Sequence, residues 1–352
     1  MKRNNRRGNP TAAPDLLALA EIVERFEGKR VVVLGDFVAD SFQYGDISRV
    51  SREAPVLILR HRETRILPGG GANAANNFAA LGAVVMPITA VGDDAPGDAL
   101  VQIFRERKVD VSGILRIKER ITPTKARFLA GWAHTVGHQV LRVDYEPQSQ
   151  LAESVRNKIQ GLLRARLKKA DAFAVSDYGL GVANPEAVRS ATSAERRPIP
   201  VSLDCRYRLT AYRRAGVTAA TPNEAEIEAL HHTTIGQDLS ALDRCGLETL
   251  SEMKLSSLVI TRGKDGMAVF RRGEKTVYIQ VHGSDQAVDV TGAGDTVLAA
   301  YTLGLASGAP PLEAAHIANI AGGLVVMKRG TATVSRQELL DTIRRTASGA
   351  TP

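Results

Sequence analysis

Short apolar runs rich in Val, Ile, Leu and Ala recur along the chain, and longer segments with apolar residues every three or four positions separate them. The short runs predict strands at 30–34, 84–91, 172–176, 199–203, 217–220, 258–261 and 267–270. The longer segments predict helices at 96–107, 151–167, 185–193, 239–253 and 312–327. Because strands alternate with helices, and polar residues do not interrupt runs such as 31–34, the pattern predicts an α/β fold. We expect a mostly parallel central sheet with helices on both faces.

Two stretches, at about 42–60 and 125–144, interrupt this alternation with short strands, turn residues and no helix between them. Within the second stretch, 127–130 and 139–143 predict a hairpin across 131–137. Insertions of this kind often build a small second sheet over the ends of the central strands, so we predict a small β lid. A surface hairpin without a binding role is the alternative.

Composition and charge limit the class of protein. With 352 residues, 44% hydrophobic and 24% charged, the chain is typical of a globular protein. Residues 1–14 contain four basic residues and no acid, so half of the net charge of +8 lies in a predicted disordered tail. Residues 15–352 are predicted to form the folded domain. The other basic residues form no continuous stripe, so we expect no nucleic-acid partner, and an anionic small molecule accounts for the charge equally well.

The two cysteines are too few for a disulfide framework, which favours a reducing, cytoplasmic environment. No uncharged run approaches the roughly 18 residues of a membrane span. We therefore expect no membrane partner.

The segment 289–296 reads Asp-Val-Thr-Gly-Ala-Gly-Asp-Thr and precedes an apolar helical run. Small residues at a helix start expose the N–H groups of Gly292, Ala293 and Gly294, which together predict an anion site. A phosphate there would repel the Asp295 carboxylate, so an acid at this position needs a reason, and deprotonating a hydroxyl that attacks the phosphate is one such reason. The alternative is an ordinary helix start in which Asp295 complements the helix dipole.

Two further segments are suited to polyol ligands. Gly69 and Gly70 allow the backbone to approach a ligand, and Asn73, in the first turn of the next predicted helix, offers a donor and an acceptor for a sugar hydroxyl. Asp36 and Asp40 follow the first predicted strand, at the edge where α/β sheets bind ligands. A solvated turn is the alternative for the two acids.

Asn223 and Glu226 follow Thr-Pro and stand three residues apart at a predicted helix start. On one face of the helix they would hold a hydrated magnesium ion. Taken alone, an N-capped surface helix explains them better.

Together these segments resemble the PfkB (ribokinase-like) family of carbohydrate kinases. One family signature runs from Gly69 through Asn73 to Gly92, and the other runs from Asp289 to Ala300. The resemblance covers about 28–345 and implies a ribokinase-like fold. Within the family, the chain is most similar to the heptose-7-phosphate kinase half of bacterial ADP-heptose synthases. The motifs that carry this likeness are Gly35-Asp36, Tyr44-Gly45, Ser48-Arg49, Glu53-Ala54-Pro55-Val56, Ser176-Asp177-Tyr178, Thr221-Pro222-Asn223 and Gly330-Thr331.

Two departures concern basic positions. The heptose kinases usually carry a lysine where this chain has Leu180, and they read Asp-Pro-Lys where it has Asp204-Cys205-Arg206. An arginine replaces the charge of a lysine without its geometry. The departures therefore affect the identity of the sugar more than the kinase chemistry.

The resemblance implies transfer of the γ-phosphoryl group of ATP to a sugar hydroxyl, with Asp295 as the base and the N–H groups of 292–294 stabilising the phosphoryl charge. It implies that Asp40, Asn73, Gly69 and Gly70 bind the sugar, with Asp36 a further candidate. The remaining implied roles are Mg²⁺ through water for Asn223 and Glu226, nucleotide contacts for Asn223, Glu226, Thr261, Gly263, Asn319, Gly292 and Gly294, and K⁺ for Asp289 and Thr291.

A phosphorylated sugar needs cations at the far end of the pocket, and the predicted lid supplies Arg49, Lys125, Arg127 and Arg142. Solvated strand positions are their alternative. The resemblance further implies a homodimer through the lid, with ATP and a sugar or sugar phosphate as ligands. A kinase for another sugar remains open, and so does a non-catalytic sugar-binding regulator, which the intact Asp295 argues against.

Overall fold

The structure, a computed structural model, describes residues 14–131, 138–283 and 287–349. All of the predicted tail except residue 14 lies outside these residues, as does nearly all of the hairpin turn at 131–137.

Thirteen strands and ten α-helices form the described part of the chain. The strands, in chain order, are β1 Arg30–Gly35, β2 Phe37–Val50, β3 Leu57–Gly70, β4 Val84–Gly92, β5 Ile114–Ile117, β6 Thr124–Gly131, β7 His138–Tyr145, β8 Ala172–Asp177, β9 Val201–Cys205, β10 Ala219–Ala220, β11 Ser257–Thr261, β12 Met267–Arg271 and β13 Val277–Ile279. The helices are α1 Leu16–Glu24, α2 Gly71–Ala80, α3 Ala95–Glu106, α4 Glu153–Leu167, α5 Pro185–Ala194, α6 Glu224–His231, α7 Leu239–Glu252, α8 Ala293–Ala306, α9 Pro311–Val325 and α10 Arg336–Ala347.

The central sheet has nine strands in the order β13-β12-β11-β10-β9-β8-β1-β4-β5. The pairs from β11 to β5 are parallel, and only β12 and β13 add antiparallel pairings at one edge. One apolar core, which includes Phe78 and Ile317, lies under α1, α2, α8, α9 and α10. A second core, which includes Ile159 and Leu242, lies under α4, α5 and α7. The predicted parallel sheet with helices on both faces is confirmed.

The lid is a separate four-stranded sheet in the order β3-β2-β6-β7. Its strands β2 and β3 are longer than the predicted 42–60, because β2 continues directly from the edge of the central sheet at Phe37 and β3 returns to Gly70. The predicted hairpin is the antiparallel pair of β6 and β7. The register places Asp40 of β2 beside Lys125 of β6, which brings the lid to the end of β1.

The parallel strands end at one edge of the central sheet, and the polar residues collect there. Gly35 lies beside Ser176, and Ser176 lies beside Asp204, so that Asp36 and Asp177 leave neighbouring strands close together. The site is therefore built where β1, β8 and β9 end and where α8 begins.

Candidate functional site

The start of α8 is set by a glycine in the left-handed region. Gly292 has a φ of +80°, and a Cβ at this position would lie 2.4 Å from Nδ2 of Asn73. Only glycine therefore lets α8 and α2 approach this closely. The N–H groups of Gly292 and Gly294 have no backbone acceptor among the described residues, while that of Ala293 donates to the Val290 carbonyl at 3.3 Å. Two of the three N–H groups of the predicted anion site therefore lack a backbone acceptor among the described residues, and the site itself stays a prediction.

Asp295 lies in the first turn of α8 and is 3% exposed. Asn73 Nδ2 donates to its Oδ2 at 2.8 Å, and the Tyr178 hydroxyl donates to its Oδ1 at 3.3 Å. Burial raises the pKa of Asp295 to about 7, although these two hydrogen bonds act to lower it. A held carboxylate with a pKa near neutrality has the properties of a general base.

Asp40 is the second buried carboxylate at the site. It is 4% exposed, and a guanidinium nitrogen of Arg127 donates to its Oδ1 at 2.5 Å. A Cβ on Gly69 would lie 2.6 Å from Oδ2 of Asp40, so the carboxylate rests against bare backbone. Gly70 directly precedes α2, which carries Asn73. Asp40, Gly69, Gly70 and Asn73 are thus brought together as expected, but Arg127 is paired with Asp40 rather than free for a distal phosphate.

The expectation that Asp36 contacts the sugar is corrected by its hydrogen bonds. Its Oδ2 accepts from the N–H groups of Tyr178 and Leu180, both at 3.0 Å, and its Oδ1 accepts from that of Val182 at 2.8 Å. Burial raises the pKa of Asp36 to about 6. Asp36 therefore holds the turn at 178–182.

A cavity of about 190 Å³ opens between the lid and this turn, and we call it the lid cavity. Its polar lining residues include Lys125, Arg142, Asp144, Tyr178, Arg206 and Tyr207. The Lys125 ammonium lies 5.4 Å from the centre of the Tyr178 ring, and burial lowers the pKa of this lysine. Arg142 makes two hydrogen bonds to Asp144, at 2.9 and 3.0 Å. Arg206 has no carboxylate partner among the described residues, and it joins Lys125 as a cation available to a ligand.

Arg49 does not reach this site within the same chain. It is exposed near the end of β2, nine residues beyond Asp40, which corresponds to roughly 30 Å along a strand. The expectation that Arg49 lines the pocket is therefore wrong for a single copy.

A second cavity, of about 270 Å³ and mostly apolar, lies on the other side of the α8 start, and we call it the apolar cavity. Its lining residues include Thr261, Gly263, Val290, Gly294, Val297, Asn319 and Gly322. Asn319 donates from Nδ2 to the Gln280 carbonyl at 2.8 Å, which fixes its orientation. Of the nucleotide-contact candidates, Thr261, Gly263, Gly294 and Asn319 therefore line one cavity, which is suited to a flat base.

Asn223 and Glu226 form a reciprocal capping box at the start of α6. The Asn223 side chain accepts from the Glu226 N–H at 2.8 Å, and the Glu226 carboxylate accepts from the Asn223 N–H at 2.9 Å. Burial raises the pKa of Glu226, and burial together with Glu226 and Asp295 raises that of Asp204. This concentration of negative charge suits a divalent cation. No group of three or more metal-ligating side chains occurs in the described ranges, so the donors fit an ion bound largely through water.

Asp289 ties the loop before α8 to the loop after α9. Its Oδ1 accepts from the Thr291 N–H and its Oδ2 from the Gly330 N–H, both at 2.9 Å. These bonds hold the pKa of Asp289 below its usual value despite partial burial. An ionised carboxylate under the α8 start fits a monovalent cation, and this role stays a prediction.

The sequence profile of the pfkB family carbohydrate kinases matches residues 29–338. The chain belongs to the pfkB family of carbohydrate kinases. It is accordingly a phosphotransferase that acts on a sugar hydroxyl, and the family resemblance is confirmed.

The curated relatives include the bifunctional protein HldE of Geobacter metallireducens, which is 38% identical over 88% of this chain and 62% of that protein. The bifunctional protein HldE of Mesorhizobium japonicum is 37% identical over 93% of this chain and 64% of its own length. The chain thus spans less than two thirds of the length of these relatives.

The solved structures confirm the fold. Phosphofructokinase-2 from Escherichia coli, in complex with potassium, has a TM-score of 0.70 and 19% identity, and the match covers 91% of this chain and 99% of that one. Arabidopsis thaliana ribokinase, complexed with ribose and ATP, has a TM-score of 0.69 and 19% identity, with 90% and 99% covered. Separately, no helix of the described chain has the length and apolar character needed to cross a membrane.

Sequence reasoning left three features of the site without a role. Tyr178 lies in a motif that carries the resemblance, but nothing local in the sequence shows that its hydroxyl reaches Asp295. Arg206 stands where the heptose kinases carry a lysine, and its place in the lid cavity depends on where β9 ends. Arg120, 6% exposed and bound to the Leu180 carbonyl, had no recognisable motif.

Proposed function

We propose that this protein uses ATP to phosphorylate the anomeric hydroxyl of D-glycero-D-manno-heptose 7-phosphate, a step toward ADP-heptose and lipopolysaccharide precursors. The observation that carries the kinase reaction is the position of Asp295. This buried carboxylate has a pKa of about 7 and lies at the α8 start, whose neighbouring residues line the apolar cavity. Through Tyr178 it also adjoins the lid cavity.

In the proposed mechanism, the sugar hydroxyl attacks the γ-phosphorus of ATP while Asp295 takes up its proton. The new O–P bond forms as the bond from the γ-phosphorus to the bridging oxygen of ADP breaks. The N–H groups at 292–294 stabilise negative charge on the transferred group. Asp40, Asn73 and the backbone at 69–70 orient the sugar so that only one hydroxyl reaches Asp295.

The phosphorylated substrate is supported by the lid cavity and by the relatives named HldE. Lys125 and Arg206 line this cavity and have no carboxylate salt bridge among the described residues. A sugar phosphate brings nearly two negative charges near Asp40 and Asp295, so cations at its far end are needed to offset the repulsion.

Two cations accompany the proposed reaction. Asn223 and Glu226 would hold Mg²⁺ through water near the phosphates, where Mg²⁺ neutralises charge on ATP. Asp289 and Thr291 would hold K⁺ beneath the α8 start, which strengthens its attraction for an anion.

We also propose that two copies pair through the lid. Six large apolar side chains of the lid are exposed by more than 40%, and β7 is an exposed edge strand. They are Val50, Val56, Leu57, Val140, Leu141 and Tyr145. Light scattering on the wild type and on Leu141→Glu tests this pairing, because a dimer through the lid should dissociate in the variant.

The deciding experiment is an ATP-consumption screen over heptose 7-phosphate, hexose phosphates and free sugars. Preference for the heptose phosphate supports the proposal. Preference for another sugar leaves a kinase of different specificity, and no turnover with any of these sugars overturns the proposed function.

A further inference from the structure

The turn at 178–182 lies between the central sheet and the lid, and buried groups of opposite charge hold it. Asp36 accepts from the N–H groups of residues 178, 180 and 182. Arg120 donates to the carbonyl of Leu180 at 2.6 Å. Leu180 is thus bound at both of its backbone groups, by a carboxylate on one side and by a guanidinium on the other.

Neither charged group is placed as a surface ion pair would be. Asp36 is 1% exposed and Arg120 is 6% exposed, and Arg120 has no salt bridge among the described residues. Its Nε is buried without a hydrogen-bond partner. Burying charges costs free energy, and the hydrogen bonds of Asp36 and Arg120 to the turn offset part of that cost while fixing the geometry of the turn.

The turn places Tyr178 next to the proposed base, Asp295. Since the N–H of Tyr178 is bound by Asp36, the position of its backbone is set by the turn, and its hydroxyl reaches Oδ1 of Asp295 at 3.3 Å. Its ring at the same time lies under the Lys125 ammonium. Asn73 holds the other oxygen of Asp295, so both carboxylate oxygens are constrained.

We propose that Asp36 and Arg120 are positioning residues that fix the turn at 178–182, and that the turn holds the Tyr178 hydroxyl against the catalytic base. The proposal rests on the proposed function only in taking Asp295 as that base. In this proposal Asp36 acts on the base through Tyr178 and does not contact the sugar.

The first test is the pH profile of kcat for the wild type, Tyr178→Phe, Asp36→Asn and the double variant, with whichever sugar the wild type turns over. Losing a donor to an ionised carboxylate raises its pKa. We expect the acid limb to move up by about one pH unit in each single variant, with the rate largely recovered at high pH. The titratable groups that face Asp295 are Asp40 from β2, Lys125 from β6, Tyr178 and Asp204. Asp40, Lys125 and Asp204 are unchanged in all of these variants.

The double variant should shift no further than the larger single shift, because both changes act through one contact. Additive shifts, or a uniform fall in rate at every pH, would overturn the proposal. A raised KM for the sugar in Asp36→Asn, without a shift of the acid limb of the pH profile, would show that Asp36 contacts the sugar.

The second test needs no turnover. Hydrogen exchange of the peptide covering 176–183 should be at least tenfold faster in Asp36→Asn and in Arg120→Met than in the wild type. Asp238→Asn is the matched control, since Asp238 also accepts two backbone N–H groups but at the distant start of α7. Unchanged exchange at 176–183 in Asp36→Asn overturns the proposal that Asp36 fixes the turn. If no sugar is phosphorylated, the proposed function fails. The hydrogen exchange, together with an NMR titration of the Asp295 carboxyl group in Tyr178→Phe, still tests whether the turn positions Tyr178 against Asp295.

Discussion

The amide of Asn73 donates to the carboxylate of Asp295 at 2.8 Å, although the two residues stand 222 positions apart in the chain. The bond joins the first turn of α2 to the first turn of α8, and Gly292 makes the approach sterically possible. It couples the predicted sugar-binding segment to the predicted base. The two family signatures therefore meet at one carboxylate.

Replacing the base should remove most of the turnover. Asp295→Asn keeps the size of the side chain but cannot accept the proton, so we expect kcat to fall by roughly 10²–10⁴-fold. ATP binding, measured by calorimetry, and the melting temperature should change little. A variant that keeps more than about a tenth of the wild-type turnover would contradict the role of Asp295.

The pH dependence should report the same group. Because burial raises the pKa of Asp295 to about 7, the carboxylate is ionised above that pH and protonated below it. We expect kcat to fall about tenfold for each pH unit well below 7 and to level off above it. A profile that is flat from pH 5 to 8, measured with ATP and sugar saturating, would exclude this titration.

The close approach at the α8 start gives a matched pair of glycine variants. Gly292 and Gly308 both have positive φ, +80° and +83°, but only a Cβ at 292 would meet Asn73, while nothing lies within 4 Å of one at 308. In each alanine variant, backbone strain should lower the free energy of unfolding by about 1–2 kcal/mol. Only Gly292→Ala should also lose most of its kcat. Comparable kcat values in the two variants would show that the contact with Asn73 does not matter.

The distal phosphate should depend on the lid cavity. Lys125→Ala or Arg206→Ala should raise the KM for a phosphorylated sugar about tenfold, because a charge-assisted hydrogen bond is worth roughly 1.5–3 kcal/mol. The KM for ATP should barely change. Arg49→Ala is the control, and in the Leu141→Glu background, in which the lid dimer should dissociate, it should leave both constants unchanged. If neither cavity variant distinguishes phosphorylated from free sugar, the heptose-7-phosphate proposal is wrong.

The cations give a further prediction. Glu226→Gln removes a negative charge close to Asp204 and should raise the magnesium concentration needed for half-maximal rate, with sugar KM little changed. Potassium should accelerate turnover more than sodium if Asp289 and Thr291 hold a monovalent ion. Equal rates in potassium, sodium and a bulky organic cation would remove that site.

Local patterns along the chain predict the fold class, the lid and most of the residues that meet at the site. Strand and helix periods are local properties of the chain, and so are the small-residue helix starts at 69–73 and 292–295. For that reason the parallel sheet, the hairpin of β6 and β7 and the position of Asp295 at a helix start follow from the sequence.

The contacts of each charged side chain, by contrast, depend on how distant segments of the chain pack together. Asp36 and Asp40 both follow the first strand and look alike in the sequence. The hydrogen-bond partners of Asp36, however, are backbone N–H groups of the turn at 178–182, which lie 142 to 146 residues further along the chain. Arg127 meets Asp40 only because β6 pairs with β2, and Arg49 is carried away from the site by the length of β2. Hydrogen-bond partners distant in sequence leave no local periodicity, so their assignment requires the packed chain.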